Sequence, residues 1–543
     1  MKEYLSQQIS AALAALGMST DVAIGFEKPR QPEHGDLTTN VAMLLAKQQK
    51  KNPRQLAAEI LERLALDSTL VSDAEVAGPG FINFRFTSKF YQQQLSRLLH
   101  ADTMYGRSDR GKGIKTQVEF VSANPTGPLT VGHGRGAVYG DTVANLLEWM
   151  GHDVTREYYF NNAGRQMRVL GDSVRLRYLE LLGERVQFPD DYYQGEYIKE
   201  IAAHLRHAYG DALRNEPPEG KFKEHAEREI FDDIKKTLKS LDIVHKTFFN
   251  ENSLYEEGKI AALIEDLKKR DLCYESEGAL WLKTSMLGGE KDKVIVKSTG
   301  EPTYRLPDIA YHVDKFRRGF DLIIDIFGSD HIATYPDVLA ALKALGYDVQ
   351  KVKVLIHQFV TITQNGEVVK MSTRRANFIT LEELIAEVGP DVVRYFFLMR
   401  SMSAHLNFDL GLAKQQSDEN PVYYVQYAHA RICSIMRKAE EEGRPLGLKP
   451  DLSLLSTSYE LDLIKLLLQF PDFIEYCAAT FEIHRLAEYL QDVATAFHKF
   501  YHNCRVVSED DKLTQARLAL CYATRIVLRN GFRVLGISAP EKM

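Results

Sequence analysis

Cysteine is scarce: five residues in 543 (Cys273, Cys433, Cys477, Cys504, Cys521), far apart and with no Cys-x-x-Cys pair. That spacing excludes a compact zinc ligand set and a dense disulfide framework, so the thiols are read as reduced and the setting as cytoplasmic. Long apolar runs are also lacking. No stretch approaches the roughly 20 residues a bilayer requires, and Ala11 to Leu16 lies in a polar, amphipathic context, so neither membrane anchor nor signal peptide is expected. Positive charge shows no excess, 68 Lys and Arg against 74 Asp and Glu, net −6. This argues against a uniformly basic surface for gripping nucleic acid; a polyanion must meet local basic patches. No internal repeat or low-complexity tract is present.

Hydrophobic residues make up 45% and charged residues 26%, ordinary proportions for chains that bury several cores. At roughly 150 residues per domain, the length predicts three or four domains. Residues 1–105 read as a small α+β unit: amphipathic helix, a polar turn from Pro29 to Asp36, more helix, then a strand from Phe81 to Phe86. From Thr116 onward, apolar strand-like runs (Val118 to Val121, Val154 to Phe160, Val294 to Lys297, Leu322 to Phe327, Val352 to Ile356) alternate with helical stretches. The alternation predicts an α/β region with a parallel sheet. Between about residues 174 and 267 only charged helical sequence such as Glu224 to Leu241 is read, a helical insertion without a strong strand. Beyond Asn420 the spacing of apolar residues is helical throughout, broken by the Gly443 to Pro450 linker, so residues 420–543 read as an all-α helical bundle.

Two segments carry chemistry. The first, Val118 to Gly136, is a strand, a loop bent by Pro125 and Pro128, then Gly132, Gly134 and Gly136 opening a helix expected over Ala137 to Trp149. Amides at such a helix start attract phosphate, and His133 can donate to an anionic ligand. The competing reading is that the glycines merely allow tight strand-to-helix packing. Gly132-x-Gly134-x-x-Ala137 also fits the dinucleotide fingerprint. That fingerprint needs glycines directly after the strand and an acid closing the next one; here the loop is long and Val154 to Phe160 ends in Asn161-Asn162. The second segment, Val368-Val-Lys-Met-Ser-Thr-Arg-Arg375, is a cationic loop after Gln364-Asn-Gly366. Its Lys370, with Arg374 or Arg375, suits charge developing on a phosphoryl group in transfer; a bland charged hairpin is the alternative.

Together, Gly-His-Gly at the first crossover and Lys-Met-Ser after the last strands resemble the two signatures of class I aminoacyl-tRNA synthetases. Over nearly the whole chain the resemblance narrows to arginyl-tRNA synthetase, through Ser122-Ala-Asn-Pro-Thr-Gly127, Asn162-Ala-Gly-Arg-Gln-Met167, Gly328-Ser-Asp-His331, Asn420 to Arg431 and the ending Glu541-Lys-Met543. It implies a Rossmann-like catalytic domain (106–419, carrying the insertion and the loop 368–375), an N-terminal tRNA-binding domain (1–105) and a C-terminal anticodon-binding bundle (420–543). The implied reaction is ATP + L-arginine + tRNA(Arg) giving AMP, diphosphate and arginyl-tRNA, for protein synthesis, by a monomer using Mg²⁺ and no protein-bound metal. Two positions depart from the usual signatures: Thr130 where a histidine is common, and Thr373 where many relatives carry a second lysine.

By the resemblance, Glu119, Tyr304 and Asp308 form the pocket for the arginine side chain, and Asn124 and His133 meet its ammonium and carboxylate. A guanidinium asks for paired carboxylates; the alternative for Glu119 is a surface charge at a strand edge. Thr130, Gly132, His133, Gly134, Asp330, His331, Lys370 and Met371 are assigned to ATP. The catalytic set is His133, Lys370, Ser372 and Thr130. Asp330-His331 can equally be a helix cap. Strand alternation puts Phe81, Asn83 and Arg85 on one face, an aromatic, an amide and a cation suited to an extruded RNA base; a merely amphipathic strand is the alternative. Tyr424, Tyr427 and Arg431 share a helix face that can stack on anticodon bases, with core packing of the tyrosines as the alternative. A noncatalytic tRNA-binding relative and a nicotinamide-dependent oxidoreductase are the other function classes.

Overall fold

The computed structural model describes residues 1–29, 31–364, 366–369 and 379–543. The loop residues Lys370, Met371, Ser372, Thr373, Arg374 and Arg375 therefore lie outside the described residues.

Five parallel strands, β1 (Lys115–Glu119), β2 (Asp153–Phe160), β3 (Thr247–Asn250), β4 (Leu322–Gly328) and β5 (Val352–His357), form the central sheet in the order β5-β4-β1-β2-β3. The chain builds outward from β1 on one side and then on the other, so the connections reverse direction between β1 and β4. In open α/β sheets ligands bind at that reversal, outside the carboxyl ends of the strands. Two helices sandwich the middle of the sheet: α1 (Val131–Trp149) on one face and α2 (Arg305–Arg317) on the other. β1 is buried on both sides, with Val118 and Phe120 turned to α1 and Gln117 and Glu119 to α2.

Three expectations need correction. A strand, β3, lies within the stretch read as purely helical and pairs with β2 (Tyr158 beside Phe248). Four residues at a sheet edge are too few to set up an alternating pattern. Lys293–Val296 is a strand but not of the parallel sheet; it closes a separate antiparallel sheet with Cys273–Ser276 and Ala279–Leu282. Finally, α1 begins at Val131 rather than Ala137, so Gly132, Gly134 and Gly136 are helical. Glycine disfavours helix by roughly 1 kcal/mol per residue relative to alanine, but close packing requires it here. A Cβ on Gly134 would sit 2.5 Å from Leu381, on Gly136 2.9 Å from His357, and on nearby Gly140 2.2 Å from Phe120. Gly132 alone of the first three faces no such wall.

In the N-terminal part, Leu37–Thr39, Phe81–Phe86 and Val71–Ala77 form an antiparallel sheet with Phe81–Phe86 in the middle. Its core ends at Phe86, whereas Phe90, Leu95 and Leu98 of the next helix pack into the core shared with the C-terminal helices. From Pro421 on, the described residues are helices and connectors.

Candidate active site

The carboxyl end of β1 turns sharply through Val121 (φ 69°) and Ser122 (φ 45°). A β-branched residue in the left-handed region costs roughly 1–3 kcal/mol and persists where surrounding bonds over-determine it. Here the Ser122 hydroxyl donates to Glu119 Oε1 (2.9 Å) and accepts from the Tyr159 amide (3.2 Å). The Tyr158 hydroxyl donates to the Ala123 carbonyl (2.7 Å). Next in line, Asn124 accepts from the Asn161 amide (3.0 Å) and donates to Gln166 (3.1 Å). Asn161, just past β2, thus helps to fix the loop after β1 through its main-chain amide.

Register sets three acids in a row across the sheet: Asp325 of β4 beside Glu119 of β1 beside Glu157 of β2. Helix α2 answers them from above. Lys315, with no solvent exposure, bridges Glu119 (2.6 Å) and Asp325 (2.5 Å). His312 meets Asp325 (2.8 Å), and Arg318, just past α2, grips Glu157 through two bonds (2.5 and 2.8 Å). Despite burial, Lys315 and His312 hold Asp325 well below the usual carboxylate range. For Glu119 burial wins over the pull of Lys315, and its carboxyl is raised.

Asp308, one turn before His312, lines a small hollow with His312, Phe327 and His331. Burial, with the charges of Glu119 and Glu251 nearby, pushes its carboxyl up to about 7 against the opposing pull of His312 and Lys315. Glu251, just past β3, was not singled out from the sequence. It accepts from the Tyr159 hydroxyl (2.6 Å) and Asn161 (2.8 Å), and burial raises it too. The Asn161 pair after β2 was the one signal pointing there. Glu119, Asp308 and Glu251 therefore converge on one region, while Tyr304 does not: as the residue before the first turn of α2 it lies outside the helix–sheet interface, 77% exposed.

On the other side of the reversal, Thr130 caps α1. Its Oγ1 accepts from the His133 amide (3.4 Å), and its own amide donates to His133 Nδ1 (3.2 Å). Burial lowers His133, with Asp330 opposing. Asp330 is exposed and His331 half-buried, its ring stacked on Phe327 at 4.8 Å. His357, at the end of β5, was also missed; it packs under Gly136, and burial takes it to about 4. Of the glycines assigned to ATP, Gly134 is closed off by Leu381 and Gly132 is open. The strands Val360–Gln364 and Glu367–Val368 lead to Lys370, and on the far side Thr380 bridges back to Thr130 while the Leu381 amide donates to the Leu129 carbonyl (2.8 Å). Both flanks of the second signature are thereby anchored, one of them directly on the first.

For the RNA-facing residues the packing is uneven. Phe81 is half-buried, but Asn83 is 4% exposed between Thr38 and Glu75, because its strand is the central one of three. Arg85 donates to the Glu33 carbonyl (2.6 Å). The Arg431 guanidinium lies 4.9 Å from the Tyr427 ring and 5.3 Å from Tyr501. Tyr424 tilts against His498 and donates to Thr495 (3.2 Å), so all three keep a partly open, partly packed face.

Three family models match the chain: the arginyl tRNA synthetase N terminal domain over residues 3–86, the catalytic domain of class I (R) tRNA synthetases over 94–393, and the DALR anticodon binding domain over 425–543. Curated arginine–tRNA ligases of Chlorobaculum parvum and Salinibacter ruber are each 51% identical to it over the full length of both chains. A solved Thermus thermophilus arginyl-tRNA synthetase shares its fold over all of both chains, with a TM-score of 0.75 at 24% identity. With a full-length match to these ligases and a family model covering more than half its residues, the chain belongs to the class I arginyl-tRNA synthetase family.

Proposed function

We propose that the protein joins L-arginine to tRNA(Arg) through an arginyl-adenylate, consuming ATP and releasing AMP and diphosphate, in the service of protein synthesis. The observation that carries this reading is a buried acidic set short of a cation. Glu119, Asp325, Asp308 and Glu251 converge, and among the described residues Lys315 is the one lysine or arginine bonded to them. An arginine side chain supplies the cation and offers the planar donors that paired carboxylates accept.

In this reading Glu119 and Asp308, with Glu251 beside them, hold the guanidinium; Tyr304 is left to the rim. Asn124 and His133 orient the ammonium and carboxylate of the substrate. ATP lies across the reversal between β1 and β4, over Gly132, His133 and the capped start of α1, with Asp330, His331 and Met371 on the nucleoside side. Thr130 and Gly134 shape the turn behind it. A carboxylate oxygen of arginine attacks the α-phosphorus in line, and the bond to the pyrophosphate oxygen breaks; no protein nucleophile is required. His133 and Lys370 stabilise the charge that builds on the phosphoryl oxygens, and Ser372 keeps the loop closed. Mg²⁺ would arrive with the phosphates. Among the described residues no group of three or more His, Cys, Asp or Glu is disposed to hold a metal ion, so no protein ligand is assigned to it.

The tRNA would meet Phe81, with Asn83 behind it, in the N-terminal domain (1–105). In the bundle (420–543) it would meet Tyr424, Tyr427 and Arg431, the catalytic domain (106–419) lying between. The protein is read as a monomer, and a reducing cytoplasm fits five buried, unpaired cysteines; among the described residues no helix is long and apolar enough to cross a membrane. Arginine-dependent exchange of pyrophosphate into ATP, assayed with and without tRNA(Arg), tests the assignment. Lysine in place of arginine should give no exchange. A folded sample showing neither exchange nor charging would be a noncatalytic tRNA-binding relative and would overturn it.

A further inference from the structure

Arg135 lies two residues beyond His133 in α1 and is fully buried, yet no carboxylate among the described residues pairs with it. Its guanidinium donates instead to three main-chain carbonyls: Gln358 (2.8 Å), Ala404 (2.9 Å) and Ser401 (2.9 Å). Burial without a counter-charge lowers it to about 10, an expensive arrangement for surface a leucine could fill. The identity of those carbonyls explains the choice. Gln358 opens the segment that becomes Val360–Gln364 and leads to Lys370. Ser401 and Ala404 belong to the turn before Leu406–Asp409, the strand that pairs in parallel with Val360–Gln364. The two segments are also tied to each other, the Gln358 amide donating to Met402 (3.1 Å) and the Leu406 amide to Phe359 (3.2 Å). One side chain of the first-signature helix thus holds both the entry to the strand that leads into the second signature and the turn before that strand's parallel partner.

We propose that Arg135 is a positioning residue for amino-acid activation, a clamp that sets the separation between His133 and the strand leading to Lys370 by holding that strand together with its parallel partner. The proposal rests on the reading of His133 and Lys370 as acting together at the α-phosphate. In-line transfer is sensitive to such separation, a 1 Å misplacement costing about 10²-fold. A carbonyl triad also demands a planar fork of donors, which a lysine ammonium cannot reproduce.

Arg135→Ala and Arg135→Lys, compared with the unaltered protein in pyrophosphate exchange, test the clamp. The expected result is a kcat lower by about 10²-fold for alanine and at least about tenfold for lysine, with KM for arginine changed less than about threefold. Millimolar guanidinium should restore part of the activity of Arg135→Ala and none of Arg135→Lys. Hydrogen exchange at the Gln358, Val369 and Leu406 amides should quicken in both. A kcat within about threefold of the unaltered protein, or a rise confined to the KM for arginine, overturns the clamp. So does failure of both variants to fold, which would make Arg135 a general stabiliser. Absence of exchange in the unaltered protein refutes the proposed reaction instead, and the amide exchange rates still report on the clamp.

Discussion

If a substrate guanidinium settles against Asp308, arginine binding must expel a proton. In the free protein this carboxyl is held at about 7 by burial and by the neighbouring charges of Glu119 and Glu251, against an ordinary value near 3.9. An opposing guanidinium restores at least the ordinary value, a change of about 3 units, or about 4 kcal/mol between protonation states. The sign follows directly. The bound state needs the ionised form, so affinity is fully developed above pH 7 and falls about tenfold per unit as pH drops from 7 toward 4. In the free protein the raised carboxyl works against folding above pH 4, so arginine should raise the melting temperature more at pH 8 than at pH 6. Titration calorimetry in buffers of different ionisation heat counts the protons: about 0.9 released per arginine at pH 6, about half at pH 7 and almost none at pH 8. Glu119 and Glu251, also raised, can add to the count, so Asp308→Asn is the control and should remove most of the slope. A dissociation constant steady within threefold from pH 6 to 8, or a slope that survives in Asp308→Asn, refutes the reasoning.

Glu119→Gln removes a buried carboxylate from the guanidinium and should weaken arginine by about 3–5 kcal/mol. This reads as a KM raised at least about 10²-fold while the KM for ATP stays within threefold; equal effects on both substrates would contradict the assignment. Lys370→Ala should slow activation about 10²-fold and leave tRNA affinity by filter binding nearly unchanged, whereas weak tRNA binding with normal turnover would place the lysine elsewhere. Gly140→Val forces a side chain into the Phe120 ring and should cost about 1–3 kcal/mol, visible as a lower urea midpoint; an unchanged midpoint would mean the helix can shift.

Sheet strands with clear β character were legible in advance. Val154 to Phe160, rich in β-branched and aromatic residues, and Leu322 to Phe327, largely apolar, are both in the parallel sheet. Val294 to Lys297 has the same composition, but whether such a run joins a parallel or an antiparallel sheet depends on its neighbours, which composition does not encode. The start of α1 was placed six residues late because three glycines read as loop, and only the crowding by Leu381 and His357 reveals why they are helical. Glu119 and Asp308 were assigned through family resemblance, whereas the residues that surround them were not legible in sequence. Lys315, Asp325 and His312 look in sequence like scattered charges, and only the register of β4 on β1 turns them into a row. Tyr304 came from the resemblance alone, and sequence could not say that it stands before the first turn of α2, exposed.

The cap on α1 also settles where a proton sits. Because the Thr130 main-chain N–H points at His133 Nδ1, that nitrogen must offer a lone pair, and the neutral ring, favoured by its buried surroundings, carries its hydrogen on Nε2. The imidazole is thus preset as a one-way donor toward whatever oxygen approaches from the cleft. Threonine in place of the commoner histidine surrenders a cation at that corner, while the tautomer of its neighbour is locked by the main chain before any substrate arrives.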